Sequence, residues 1–222
     1  MTTKPSRVAA SGSAPKPESA KDERDTKQRV IESALECIIE LGFYRGSSTN
    51  EIARRAGVTW GVIQHYFGTR EGLMLAVLQN GTAHLERIVA EAHIDAGTAK
   101  ERLTQLIDVL VTHYARPEYV AGLQVLLNLE HDPRTSEEVR ETMRGASERS
   151  QENINRLLRE ALGPETAPDL AATIFLVIRG FGFSQQLTES IAYDAARHPR
   201  ARAARQRVLL AEVLAPYFEQ GG

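Results

Sequence analysis

The sequence predicts an all-α protein: an N-terminal three-helix domain containing a helix-turn-helix, followed by a larger helical bundle. Three observations carry this. Apolar residues recur at three- and four-residue steps in one segment after another, as on the buried face of a helix. Capping and stop residues punctuate those segments at helical lengths. No strand-type alternation persists anywhere in the 222 residues.

The first 24 residues are rich in Ser, Pro, Ala, Lys and Glu. They bring too little apolar surface to offset the entropy of ordering, which predicts a disordered arm. A second reading is an arm whose Lys16, Lys21 and Arg24 reach phosphates. Residues 25–41 carry Val30, Ile31, Ala34, Leu35, Ile38 and Leu41 at helical spacing, and Gly42 suits a helix stop. Ser48 and Glu51 have the spacing of a capping box, opening a short helix that Gly57 ends in a left-handed turn. Thr59 then caps a third helix to about Tyr66, and Phe67-Gly68-Thr69 breaks it.

A long helix is expected over 70–93, with Gly81 loosening its middle. Thr98 and Glu101 form another capping box, for a helix to about Tyr114. Further helices are expected over 118–129 (introduced by Pro117), 136–162 (ended by Gly163-Pro164), 168–188 and 200–219. The organisation reads as an arm over 1–24, a helix-turn-helix domain over 25–70 and a helical body over 71–222.

Composition narrows the function classes. No run of eighteen apolar residues exists, so a membrane span is not expected, and the first residues contain no signal-peptide core, which reads as cytoplasmic. The single cysteine, Cys37, rules out an internal disulfide and a multi-cysteine metal site, and its apolar neighbours predict a packed thiol. The net charge of −2 hides an asymmetry. Residues 1–79 hold 11 Lys and Arg against 9 Asp and Glu, whereas the remainder holds 16 against 20. A mildly basic N-terminal part permits nucleic-acid binding without demanding it. For an enzyme, the six histidines show no His-Glu-x-x-His and no paired Glu-x-x-His, Glu130-His131-Asp132 point different ways on a helix, and no nucleophile elbow or phosphate loop appears. No catalytic residue, metal or cofactor is therefore expected.

The stretch 48–67 fits two short helices joined by a tight turn, the first bracing while the second enters a DNA major groove. Ile52, Ala53, Ala56, Val58, Ile63 and Phe67 form the expected shared core. The outward residues make chemical sense as a DNA-binding set. Gly61 allows close backbone approach, Thr59 and Tyr66 offer hydroxyls to phosphate, and Gln64 matches adenine N6 and N7. Trp60 and His65 are candidates for base or sugar contact, although Trp60 also suits packing on the first helix. Ser48 and Arg70 sit at helix starts, where backbone N–H groups favour phosphate.

Over about residues 26–78 the chain resembles the TetR family of bacterial regulators. The resemblance rests on Ile52, Ala53, Ala56, Gly57, Val58, Thr59, Gly61, Tyr66, Phe67, Arg70 and Leu73 at the family's spacings. It departs in three places: Gln64 stands where the family usually has Tyr, Arg70 replaces the usual Lys, and the link 43–47 is one residue longer. The resemblance implies a transcription regulator, most often a repressor, that binds a near-palindromic double-stranded DNA operator as a homodimer and is released by a small molecule. It also implies a body that dimerises through its last two long helices, here 168–188 and 200–219, and encloses a ligand pocket. His113, Tyr114, Tyr119, Leu123, Leu126, Leu127, Met143 and Phe175 are the candidate lining, each equally suited to ordinary core, and their apolar excess suggests an apolar or aromatic effector. A tilt of the fourth helix, eased by Gly72 and Gly81, is the expected link between pocket and DNA. The competing reading is a helical interaction protein that does not bind DNA.

Overall fold

A computed structural model describes residues 17–95, 97–191 and 199–218, all in helices and connecting turns. The helices are α1 (Pro17–Gly46), α2 (Thr49–Ala56), α3 (Trp60–Phe67), α4 (Arg70–Glu91), α5 (Ala99–Tyr114), α6 (Pro117–His131), α7 (Glu137–Leu162), α8 (Pro168–Ile191) and α9 (Pro199–Leu214), with a 3-10 turn at Ala215–Tyr217. Among the described residues there is no strand, and no helix is long and apolar enough to cross a membrane.

Local chemistry explains most of these boundaries. Thr59 accepts from the Val62 N–H, Thr69 from Gly72 and Ser136 from Val139, each satisfying an otherwise orphaned first-turn donor. Thr98 and Glu101 form the expected reciprocal capping box. Gly57 ends α2 at φ 65°, ψ 33°, the left-handed conformation that a turn between two closely packed helices requires. Gly42 lies inside α1 at φ 69°, ψ 167° and breaks it, as a stop residue should.

Three expectations change. Helix α1 begins at Pro17, so residues 17–24 of the expected arm are helical. Proline suits a first helical position, and the Glu-, Ala- and Lys-rich residues behind it are good helix formers. Residues 1–16, with Lys16, lie outside the described residues, as does Glu219 at the expected end of the last helix. Ser48 makes no side-chain cap, and the Glu51 carboxylate that would return the bond faces arginines instead. Its carboxylate accepts from Arg54 and Arg55 at 2.7 and 2.9 Å, and Arg55 also meets Glu40 on α1 at 2.6 Å. These bonds lower the Glu51 carboxyl to about 2. Gly72 has a packing role that its sequence did not announce: a Cβ there would lie 2.1 Å from the Phe67 carbonyl oxygen.

Two buried clusters organise the chain. The first joins Val30, Ala34, Ile38, Ile52, Ala53, Ile63, Leu73, Met74 and Val77 with Ala121, Val125 and Leu129 of α6 and Met143 of α7. Arg29 donates to the Ala56 carbonyl at 3.0 Å, closing the C-terminal end of α2 against α1. The second cluster is centred on α5, which packs against α7, α8 and α9. Helix α4 contributes Leu73, Met74 and Val77 to the first and Leu85 and Val89 to the second. Packing therefore runs through the expected boundary at residue 70, and α6 belongs as much to the N-terminal core as to the body.

Candidate functional site

Helices α2 and α3 present a polar, solvent-facing surface over an apolar underside. Ile63 is fully buried, while Thr59, Gly61, Gln64 and His65 are exposed and Tyr66 is half-buried. Trp60 is 36% exposed, so its indole remains open to solvent. Residues 60, 61, 64 and 65 share one side of the helix, as a three- to four-residue period demands. The ring of Tyr66 lies under the Lys27 ammonium, 5.3 Å from its centroid, which places a cation of α1 beside the end of α3. Ser48 is exposed, and its hydroxyl is free of any capping bond.

Arg70 is engaged inward. Its Nε and Nη2 donate to the carbonyl and hydroxyl of buried Ser47 at 3.1 and 2.6 Å, and the guanidinium lies over the Phe43 ring at 5.4 Å. Nothing in the local sequence marks Tyr44, yet it is 94% exposed beside this link. Only the break at Gly42, which turns the chain outward, would have drawn attention to it.

A cavity of about 770 Å³ lies between α1, α4, α5, α6, α7 and α8. Of the expected residues, His113, Tyr114, Tyr119, Met143 and Phe175 line it, together with Leu126. Leu123 and Leu127 do not. On α6 the cavity side is Tyr119, Gly122 and Leu126, spaced three and four apart, and Leu123 and Leu127 are each rotated one residue away. Leu127 borders instead a shallow cleft with Phe43, Tyr44 and Arg70. Gly81 lines the cavity, and a Cβ there would meet nothing within 4 Å.

The cavity is less apolar than its sequence candidates suggest. One end is an aromatic group: His113 lies 4.9 Å from Tyr114, 5.6 Å from Tyr119 and 5.7 Å from His84 between ring centroids, and Phe175 is 5.9 Å from Tyr114. Charged groups border it. Arg116 bonds Glu118 at 2.8 Å and contacts the His84 imidazole, and Arg179 donates to the Tyr119 hydroxyl at 2.8 Å. His113 is 7% exposed, and its Nδ1 has no hydrogen-bond partner. Burial lowers this imidazole to about 4, with the positive potential of His84 and Arg116 acting in the same direction, so it is neutral near pH 7. Burial, with the Arg116 and Arg87 charges, likewise lowers His84. The charged members come from α4, α6 and α8, far apart in sequence, which is why no motif announces them.

The exposed apolar residues of α8 and α9 form the other candidate surface. Leu176 and Val177 on α8, and Leu209 and Val213 on α9, are exposed, whereas Ile174, Ile178 and Ala211 face inward.

Comparison with known proteins agrees with this architecture. Residues 30–77 match the family model for bacterial regulatory proteins of the tetR family. An 84-residue segment is 34% identical to the HTH-type transcriptional regulator BetI of Escherichia coli O17:K52:H18 (strain UMN026 / ExPEC). That segment covers 37% of this chain and 43% of the relative, so less than half of the relative's length is matched. Over the whole fold, a putative transcriptional regulator from Saccharomonospora viridis, solved in complex with choline, aligns with a TM-score of 0.61 at 23% identity. The alignment covers 86% of this chain and 96% of that one. The transcriptional regulator FadR from Bacillus subtilis, solved with stearoyl-CoA, aligns with a TM-score of 0.56 at 19% identity, covering 85% and 97%. The helix-turn-helix segment of the chain is thus similar in sequence to bacterial regulatory proteins of the tetR family, and the helical body behind it is similar in fold to solved transcriptional regulators.

Proposed function

We propose that this protein is a ligand-responsive, DNA-binding transcription regulator that acts as a homodimer, with repression relieved by a small molecule. The observation that carries the reading is α3: a short helix anchored by buried Ile63 that turns Thr59, Trp60, Gly61, Gln64 and His65 to solvent. Two such helices, one per protomer, enter successive major grooves of a near-palindromic operator. Gln64 reads a base edge, with Trp60 and His65 beside it, while Ser48, Thr59, Tyr66 and the exposed Tyr44 meet the backbone. Gly61 lets the backbone come close. The apolar faces of the last two long helices, expected over 168–188 and 200–219 and carrying exposed Leu176, Val177, Leu209 and Val213, pair with their copies into a four-helix interface.

The cavity is the effector site in this reading. Its walls include α4 and α6, and both helices also enter the core beneath α2 and α3. The Phe43 N–H donates to the Gln124 side chain at 3.0 Å, a direct tie between the N-terminal unit and α6. A ligand that favours one placement of α4 and α6 thereby favours one spacing of the two reading helices, and it acts only through that difference in affinity.

The test is fluorescence anisotropy of purified protein with DNA flanking its own gene and with scrambled DNA, at two salt concentrations. Selective binding by two protomers per site is expected. Gln64→Ala is expected to cost about 1–3 kcal/mol on the cognate site and relax specificity there. Equal losses on both DNAs would remove Gln64 from base reading. Absence of selective binding to any fragment of the source genome would favour the interaction-protein reading instead.

A further inference from the structure

Taking the cavity as the effector site, we infer that it selects an amphipathic carboxylate, whose anionic head sits among Arg179, Tyr119 and His113 and whose apolar body lies against Phe175, Met143 and Ile154. Three observations point this way.

First, the polar end is short of anions. The charged lining residues are Arg87, Arg116 and Arg179 against Glu32 and Glu118. Glu118 is already bonded to Arg116 at 2.8 Å. Arg179 has no carboxylate partner among the described residues, and its Nε meets only the neutral Tyr119 hydroxyl. A guanidinium presents five donors, and a carboxylate is the group that accepts from them as a fork.

Second, His113 is buried with an unpartnered Nδ1. A buried polar atom without a partner costs about 1–3 kcal/mol and calls for an explanation. A neutral imidazole chooses the tautomer that suits its neighbour, so a carboxylate oxygen there selects Nδ1–H and satisfies it. His84, Arg116, Tyr114 and Tyr119 surround this ring, and none of them supplies that acceptor.

Third, the aromatic group is poorly placed for the opposite charge. A cage for a quaternary ammonium needs open ring faces. The Arg179 guanidinium already lies over the Tyr119 ring, 6.0 Å from its centroid, and Arg116 contacts His84. A bound cation would face two guanidinium groups. The rest of the lining, Leu85, Met143, Ala146, Ile154 and Phe175, is apolar and suits a hydrocarbon or aryl body. At about 770 Å³ the cavity falls in the range of ordinary small-molecule sites.

Isothermal titration of the full-length protein, without DNA, with octanoate, 1-octanol and octyltrimethylammonium tests the inference. Octanoate is expected to bind at least tenfold more tightly than the alcohol, and the ammonium more weakly than either. Arg179→Gln is expected to reduce octanoate affinity at least tenfold while leaving alcohol binding within about twofold. Tyr119→Phe, which keeps the ring and removes the hydroxyl that positions Arg179, is expected to give a smaller loss in the same direction. A thermal melt of each variant separates misfolding from lost affinity. No octanoate binding at millimolar concentration, equal binding of acid and alcohol, preference for the ammonium, or a folded Arg179→Gln protein with unchanged octanoate affinity would each overturn it. The DNA experiment above stands apart: selective DNA binding without carboxylate binding defeats this inference alone, and carboxylate binding without DNA binding defeats the regulatory reading alone.

Discussion

Replacing Arg70 by Ala separates two roles that its position at the start of α4 leaves in competition. As a phosphate contact it contributes to DNA affinity; as the partner of Ser47 it holds the N-terminus of α4 to the link between α1 and α2. The structure allows the second role to be sized. Two hydrogen bonds from a charged donor, at 3.1 and 2.6 Å, are lost. Each is worth about 1.5 kcal/mol at a half-exposed site. The stacking over Phe43 adds about 0.5 kcal/mol. Two effects work the other way. Ser47 keeps its own hydrogen bond to the Phe43 carbonyl at 2.6 Å, so its hydroxyl is not orphaned. A cation in the first turn of a helix also opposes the macrodipole by about 0.3–1 kcal/mol, which the substitution relieves. The net expectation is a loss of about 3 kcal/mol, or roughly 6–12 °C in Tm for a chain of this size. Urea unfolding at pH 7 reads the first number, and the slope of log K against log salt, measured on the folded variant, reads the phosphate role. If Arg70 is structural, stability falls by about 3 kcal/mol and the salt slope stays as in the wild type. A stability change under about 0.5 kcal/mol, with the slope reduced by about 0.9, is the phosphate result and would refute the structural account.

Two further outcomes are expected. Burial holds the His113 imidazole at about 4, against about 6.5 when unfolded, so the unfolded chain binds more protons between those values. Stability contributed by this neutral histidine is therefore lost as pH falls from about 6.5 to 4, on the order of 3 kcal/mol across the window, and His113→Phe is expected to lose less than the wild type in urea titrations at pH 7 and 4.5; equal acid losses would sink the idea. On the outer face, Leu176 and Val213 are 60% and 65% exposed, and the double substitution Leu176→Glu with Val213→Glu is expected to yield a folded monomer by analytical ultracentrifugation. A dimer that survives it would place the interface elsewhere.

Features that depend on neighbours within a turn or two were legible in the residues alone. The caps at Thr59 and at Thr98 with Glu101, the break at Gly42 and the left-handed turn at Gly57 all form where local chemistry expects them. The buried and exposed sides of α3 follow from its period in the same way. The exceptions arise where a distant partner competes for a side chain. Glu51 has capping-box spacing, yet Arg55, itself bonded to Glu40 across the α1–α2 contact, draws it away from Ser48. Arg70 looks like an outward basic residue until the 43–47 link brings Ser47 and Phe43 beneath it. On α6, periodicity sorts the residues into sides but does not say which side meets the cavity, so Leu126 lines it and Leu127 does not. The guanidiniums of Arg116 and Arg179 stand within reach of one aromatic group because α5, α6 and α8 pack together, 63 residues apart in the chain. Short-range hydrogen bonds and helical period act within a segment and are written in it. Long-range placement depends on how several apolar faces are buried at once, and no single segment encodes that.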